Sequence, residues 1–287
     1  MDRRKFLQQG ALLGASAAVA PAVLMNSFEA KKVKELGVQL YTLRNTISKD
    51  PEGVLKKVAG IGFNTVEFFG YNEGKYFGKT IKEMRQILDG LGLKALSSHH
   101  SKTSLIKEWE RVVADSAMMG QKYCNLAYLV DAERKSLDDY KTLAELLNKS
   151  GEICKKYGIQ FGYHNHAFEF DVMDGQVPMD VLLGNTDANL VKMEADLYWV
   201  SKAGIDPVEF FKKHAGRIEL WHVKDMDNTP QKSFSEVGNG TIDWPKIFKA
   251  QKISGMKHFF VEQDDTKGRD PLESIAMSYK YLKAMNY

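Results

Sequence analysis

Eight runs of apolar and aromatic residues, each of strand length, alternate with helical patterns through most of this 287-residue chain. That alternation leaves few folds open. The runs are Leu36–Leu43, Asn64–Tyr71, Lys94–His99, Tyr123–Leu129, Ile159–His166, Leu190–Trp199, Ile218–Lys224 and His258–Gln263. They are near-continuously apolar rather than alternating, as strands covered on both faces should be. Between them, helices are predicted from Asp50-Pro51-Glu52 to Gly60/Gly62, and over Thr80–Leu91, Leu105–Gly120, Leu137–Tyr157, Pro207–Ala215, Trp244–Gln251 and Pro271–Met285, with a short one at Asp180–Leu183. The first has an Asp N-cap, a proline at the first helical position and closing glycines. Strict alternation with short connections implies right-handed crossovers and a parallel sheet. No glycine-rich dinucleotide fingerprint follows the first run, which argues against a doubly wound sheet. The expected fold is α/β: a (β/α)8 TIM barrel forming one domain over residues 36–287, after a lead-in at 21–35.

The first residues read differently. Asp2-Arg3-Arg4-Lys5-Phe6-Leu7 is a twin-arginine export signature, followed by an Ala- and Gly-rich stretch from Gly10 to Ala22. Ala18-Val19-Ala20 offers a cleavage site, so residues 1–20 are expected to be an export signal, with the mature chain periplasmic or secreted by the twin-arginine route. The stretch falls short of the roughly 20 strongly apolar residues of a membrane span, so no stable membrane anchor is expected. Forty Lys and Arg residues against 37 Asp and Glu leave a net charge of only +3. A nucleic-acid partner would want a basic face, so none is expected. Cys124 and Cys154 read as small buried apolar residues rather than a bridge.

Four of the runs end in polar clusters: Tyr163-His164-Asn165-His166, Met193-Glu194-Ala195-Asp196, Trp221-His222-Val223-Lys224-Asp225 and Phe260-Val261-Glu262-Gln263-Asp264. The C-terminal rim is where parallel barrels keep their chemistry. Residues i and i+2 of a strand share a face, so His164 pairs with His166, Glu194 with Asp196 and His222 with Lys224. Asp196, His222 and Glu262 together supply two carboxylates and an imidazole. That mixed set suits one divalent ion (Mn²⁺, Mg²⁺, Co²⁺, Zn²⁺ or Fe²⁺) rather than a thiolate-bound metal. The fourth ligand is expected from the fifth run, as His164 or Glu169. Lys224 is expected as a second cation or as an ion-pair partner of Asp225. Glu67, His99 and His100 are candidate substrate contacts, with Trp199, Trp221 and Trp244 as candidate apolar walls.

In its order of motifs the chain resembles the xylose-isomerase-like barrel superfamily, the sugar isomerase/epimerase and inosose dehydratase group. The matches are Gly37-Val38-Gln39-Leu40-Tyr41, Gly62-Phe63-Asn64-Thr65-Val66-Glu67, Tyr163-His164-Asn165-His166, Asp196, Trp221-His222-Val223-Lys224-Asp225, the Gly238–Trp244 loop and Val261-Glu262. The resemblance implies a divalent metal held from strands five to eight, proton abstraction α to a carbonyl, a small sugar as substrate and a homo-oligomer. It implies Asp196, His222 and Glu262 as ligands, Glu262 as base, and His164, His166 and Lys224 as the remaining catalytic groups. Epimerases of this group carry a glutamate where His164 stands. The substitution removes one of two opposed carboxylate bases, an asymmetry that suits elimination or hydration. The first expectation is therefore an exported isomerase or epimerase of an unphosphorylated keto sugar. The alternative is a lyase or hydratase of a 3-keto sugar or 3-keto glycoside. A relative of the AP endonucleases would need more ligands and a basic DNA face; an inert sugar-binding barrel is the other rival.

Overall fold

Eight parallel strands close into one barrel in the computed structural model, which describes residues 35–287. The strands are β1 (Gly37–Gln39), β2 (Thr65–Phe68), β3 (Lys94–His100), β4 (Tyr123–Leu126), β5 (Gln160–His164), β6 (Val191–Asp196), β7 (Ile218–Val223) and β8 (His258–Val261). Each pairs with its neighbours in chain order, and β8 closes onto β1. The main outer helices are α1 (Pro51–Ile61), α2 (Ile81–Leu91), α3 (Trp109–Met119), α4 (Leu137–Lys156), α5 (Pro178–Gly184), α6 (Pro207–Lys213), α7 (Trp244–Lys249) and α8 (Pro271–Ala284). All eight expected strands are present. The expected export signal lies outside the described residues. Among the described residues no helix is long and apolar enough to cross a membrane.

Local chemistry sets the helix starts. Asp50 caps α1, its Oδ1 accepting from the Gly53 N–H at 2.9 Å, with Pro51 at the first helical position. Thr80 and Glu83 form a capping box at α2. Seven of the eight apolar runs prove longer than their strands, and two of the overruns have a clear cause. Leu40–Leu43 is a 3₁₀ turn whose Leu40, Thr42 and Leu43 are buried, so its apolar character reflects packing rather than strand. β6 stops at Asp196 because that side chain accepts from the Trp199 N–H at 3.1 Å and starts a helix over Leu197–Lys202. The expected Leu105–Gly120 helix is two, Lys102–Lys107 and α3, broken at Glu108. Two hairpins, Lys75–Tyr76 with Lys79–Thr80 and Asp225–Met226 with Phe234–Ser235, were not predicted; two-residue strands carry no readable period.

The core lies in two places. Between barrel and helices, Trp221 stacks on Phe211 at 4.9 Å and meets Phe248 edge-on. Inside the barrel, Leu96, Tyr123, Leu220 and Phe260 form an apolar floor. Close approach there requires glycine: a Cβ on Gly37 would lie 2.5 Å from a Phe260 ring carbon, and one on Gly162 2.0 Å from Asn125 Oδ1. Cys124 and Cys154 are free and buried.

Candidate metal centre and active site

Above the apolar floor the barrel interior turns polar, because each strand's next inward residue is two positions further along. Two β-bulges adjust the register. Opposite β2, β3 carries an extra residue at Leu96, so Glu67 pairs with Ser97; opposite β6, β7 carries an extra Glu219, so Glu194 pairs with Leu220. Bulges re-aim side chains, and here they bring His99 and His222 inward beside Glu67 and Glu194.

The first polar storey is sealed from solvent except at His99, whose ring reaches the cavity. Glu67 and Glu194 are both fully buried. Glu67 Oε2 lies 2.6 Å from His222 Nε2, and the same carboxylate oxygen accepts from Gln39 Nε2 at 2.7 Å. Glu194 Oε2 lies 2.5 Å from His99 Nε2, 3.1 Å from His164 Nδ1 and 3.3 Å from His222 Nε2. Asn125 Nδ2 donates to both carboxylates, at 3.2 and 3.1 Å. The His99 and His222 rings are stacked 5.1 Å apart.

The second storey opens to solvent. His222 Nδ1 stands 2.8 Å from Glu262 Oε2, and His164 Nε2 is 3.7 Å from Asp196 Oδ2. Lys224 Nζ reaches three carboxylates: Asp196 Oδ2 at 2.8 Å, Glu262 Oε2 at 2.6 Å and Asp264 Oδ2 at 2.6 Å. Asp196, His222 and Glu262 converge tightly enough to hold one ion, and His164 adds a second imidazole beside Asp196. The donor set fits a divalent cation on two further counts. His222 presents Nδ1 to the cluster while a carboxylate grips its other nitrogen, the usual support of a metal-bound imidazole. Asp196 Oδ2 is buried with the Lys224 ammonium 2.8 Å away, so the oxygen already sits in a cation-binding environment.

Charge is compensated pair by pair. Burial pulls His222 down, but Glu194, Glu262 and Glu67 outweigh it and hold its pKa well above the ordinary value. Burial likewise opposes the charge on Lys224, yet Asp196, Asp264 and Glu262 keep it firmly protonated. Glu262 resists burial through Lys224 and His222 and stays well below the carboxylate range. Burial pushes Asp196 up to about 6 against the pull of Lys224. His164 and His166 are driven the other way, to about 3 and about 2, chiefly by burial, with the positive His222 adding to it at His164 and the Lys224 ammonium at His166. Both imidazoles are neutral at neutral pH.

The predicted residues are not all in one place. Asp196, His222, Glu262, His164 and Lys224 are gathered, and His166 lines the cavity above them. Of the two strand-five candidates the structure brings in His164, not Glu169. Glu169 faces away from the cluster, accepting from the Tyr163 hydroxyl at 2.7 Å and the His166 N–H at 2.8 Å. Glu67 is no substrate contact; it lies beneath His222. Trp244 is no apolar wall either: it is buried, its Nε1 donating to Asp225 at 2.9 Å. Asp225 is thereby engaged with Trp244 and with the Gly238 and Ile242 N–H groups, so Lys224 pairs elsewhere. Trp199 packs behind His166 against Tyr198 and Phe234. His99 and His100 both line the cavity, the His100 ring being turned toward Ser98 and Trp109. Sequence reasoning missed Gln39, Asn125, Glu194 and Asp264 as site residues. Two of these had a signal: Glu194 sits two residues before Asp196 on the same face of β6, and Asp264 two residues after Glu262, past the end of β8.

A parallel eight-stranded barrel with carboxylates and imidazoles gathered at its C-terminal rim has the architecture of a barrel enzyme, with a cluster able to hold a metal ion. More narrowly, the chain belongs to the xylose isomerase-like TIM barrel family, whose sequence model matches residues 55–285. It is 26% identical over 223 residues to an inosose dehydratase of Clostridium perfringens, covering 71% of this chain and 69% of that one. An inosose dehydratase of Clostridium beijerinckii is 24% identical, with 90% and 89% covered. Among solved structures, a sugar phosphate isomerase/epimerase from Parabacteroides distasonis superposes with a TM-score of 0.76 at 30% identity, over 89% of this chain and 96% of that one. The zinc-bound IolI protein shares the fold, with a TM-score of 0.67 at 15% identity over 86% and 96%.

Proposed function

We propose that this protein is an exported carbon–oxygen lyase that removes the proton α to the carbonyl of an unphosphorylated keto sugar and expels the oxygen substituent at the β carbon. One observation carries the reading: Lys224 Nζ sits within 2.8 Å of Asp196, Glu262 and Asp264, while the strand-five position holds His164. A single flank of the site therefore carries both carboxylate and ammonium, and the other carries neutral imidazoles. Reversible inversion at carbon is best served by opposed bases; elimination needs a base and an acid side by side.

His164, Asp196, His222 and Glu262 would hold the divalent ion, which when bound polarises the substrate carbonyl and offsets the charge developing on it by several kcal/mol. Glu262 accepts the α-proton, and the C–H electron pair becomes the new C=C bond as the C–O bond breaks. Lys224 donates a proton to the departing oxygen and recovers one from Glu262, 2.6 Å away. The curated relatives, named for a dehydration, support elimination. The cavity wall has Lys102 and Lys224 against Glu133, Glu262 and Asp264, a balance that favours an uncharged sugar over a phosphate.

Lys224→Met should slow elimination about 10²–10⁴-fold, the scale of a lost acid–base group, and should slow α-proton exchange in D₂O by less. Equal losses in both would remove Lys224 from the second step. The isomerase or epimerase reading has the sugar phosphate isomerase/epimerase structure in its favour. It shares the first proton transfer and differs only in where the proton returns.

A further inference from the structure

The cavity over the ion cluster measures about 650 Å³. A six-carbon sugar of a dozen heavy atoms fills on the order of 200 Å³, taking each atom at roughly half a water molecule's ~30 Å³ share. A monosaccharide placed against Lys224 and Glu262 thus leaves most of the space empty.

What surrounds that space differs from the polar floor. Among the described residues eight large apolar side chains are exposed, and three of them, Tyr41, Tyr128 and Val130, line this one cavity. Tyr41 follows β1 and Tyr128 follows β4, three strands apart around the barrel, so the rings stand on well-separated sides of the mouth. Both are exposed yet braced. The Arg44 guanidinium lies 4.5 Å over the Tyr41 ring and is itself tied to the Asp264 carbonyl at 2.7 Å, while Phe69 stands edge-on at 5.2 Å. Tyr128 is held edge-to-face by His166 at 4.9 Å and Phe168 at 5.8 Å. Fixed, solvent-facing aromatic rings beside a polar site are what a flat, partly apolar ligand group requires, since little ordering is left to be done on binding.

We infer that this rim is an outer subsite for the leaving group itself: an aromatic or pyranosyl aglycone attached through oxygen at the carbon β to the carbonyl. The inference rests on the elimination reading. The α C–H bond breaks with its proton going to Glu262, its electron pair forms the C=C bond, and the C–O bond to the aglycone breaks. The aglycone oxygen takes a proton from Lys224 and leaves as an alcohol or phenol, with no net oxidation.

The test is calorimetric titration of the metal-loaded full chain with 4-nitrophenyl β-glucoside and, separately, with glucose. Neither ligand is oxidised, so binding is read without turnover. The glycoside should bind at least about tenfold more tightly than glucose, and Tyr41→Ala and Tyr128→Ala should each reduce that ratio about 3–10-fold, the size of an aromatic contact. No detectable glycoside binding, equal affinities, or an undiminished ratio in both variants would overturn the subsite. If the ratio holds while the variants change the mass in sedimentation, the rim is an interface between copies and the subsite falls. Failure of the elimination reading leaves the ratio intact, whereas failure of the subsite leaves any reaction of a free keto sugar intact.

Discussion

His222 is held from both sides, by Glu262 at Nδ1 and by Glu67 at Nε2, so its ring cannot turn without giving up a carboxylate. His164 has the same arrangement in looser form, with Glu194 behind it and Asp196 ahead. Glu169 does different work, fixing the backbone at His166. These roles separate on mutation. His164→Ala should lower metal affinity by at least about 10–100-fold, whereas Glu169→Gln should keep stoichiometric metal by elemental analysis. Burial raises the Glu169 carboxyl from 4.5 to about 7, so between those values the folded chain binds more protons than the unfolded one. Stability from this group is complete below about 4.5 and is lost as pH rises through 7, by no more than about 3 kcal/mol. Glu169→Gln should flatten that decline in urea midpoints measured at pH 5 and pH 8; parallel curves for the two proteins would contradict the assignment.

At the scale of elements, the strands were legible because both faces of each are covered, and the capped helices because Asp50 and Thr80 announce their starts. The ends were less so. Apolar residues continue past β1 and β6 into turns that pack on the core, and hydropathy cannot distinguish a buried turn from a buried strand. The bulges at Leu96 and Glu219 were invisible for another reason: register is a property of two strands, and sequence reports one at a time. So Asp196, His222 and Glu262, at strand ends, were readable as a site, while Glu67 and Asn125 were not placed beneath it. Tight packing of this storey makes Gly162 the position to probe. Gly162→Ala would set a methyl 2.0 Å from Asn125 Oδ1 and should cost about 1–3 kcal/mol, read as a lowered melting temperature. An unchanged melting temperature would show that Asn125 can give way and does not fix Glu67 and Glu194.

Across the whole molecule, apolar floor, sealed polar storey and open ion cluster succeed one another along the barrel axis. The lower storey holds the Glu194 carboxylate against His99 and His222 largely away from water, where such pairings are strongest, while burial and Glu194 itself push the Glu67 carboxyl up. The open storey faces the cavity, joined there from below by His99. The central claim is that this storey removes an α-proton and then expels an oxygen substituent. The measurement that bears on it most directly is mass spectrometry of 3-keto-glucose and a 3-keto-glucoside after incubation with the metal-loaded protein in D₂O. Loss of water or the aglycone from the sugar, dependent on Glu262, is the predicted result. Deuterium in an otherwise intact sugar would instead assign the chemistry to an isomerase or epimerase, and no change in either compound would contradict the account.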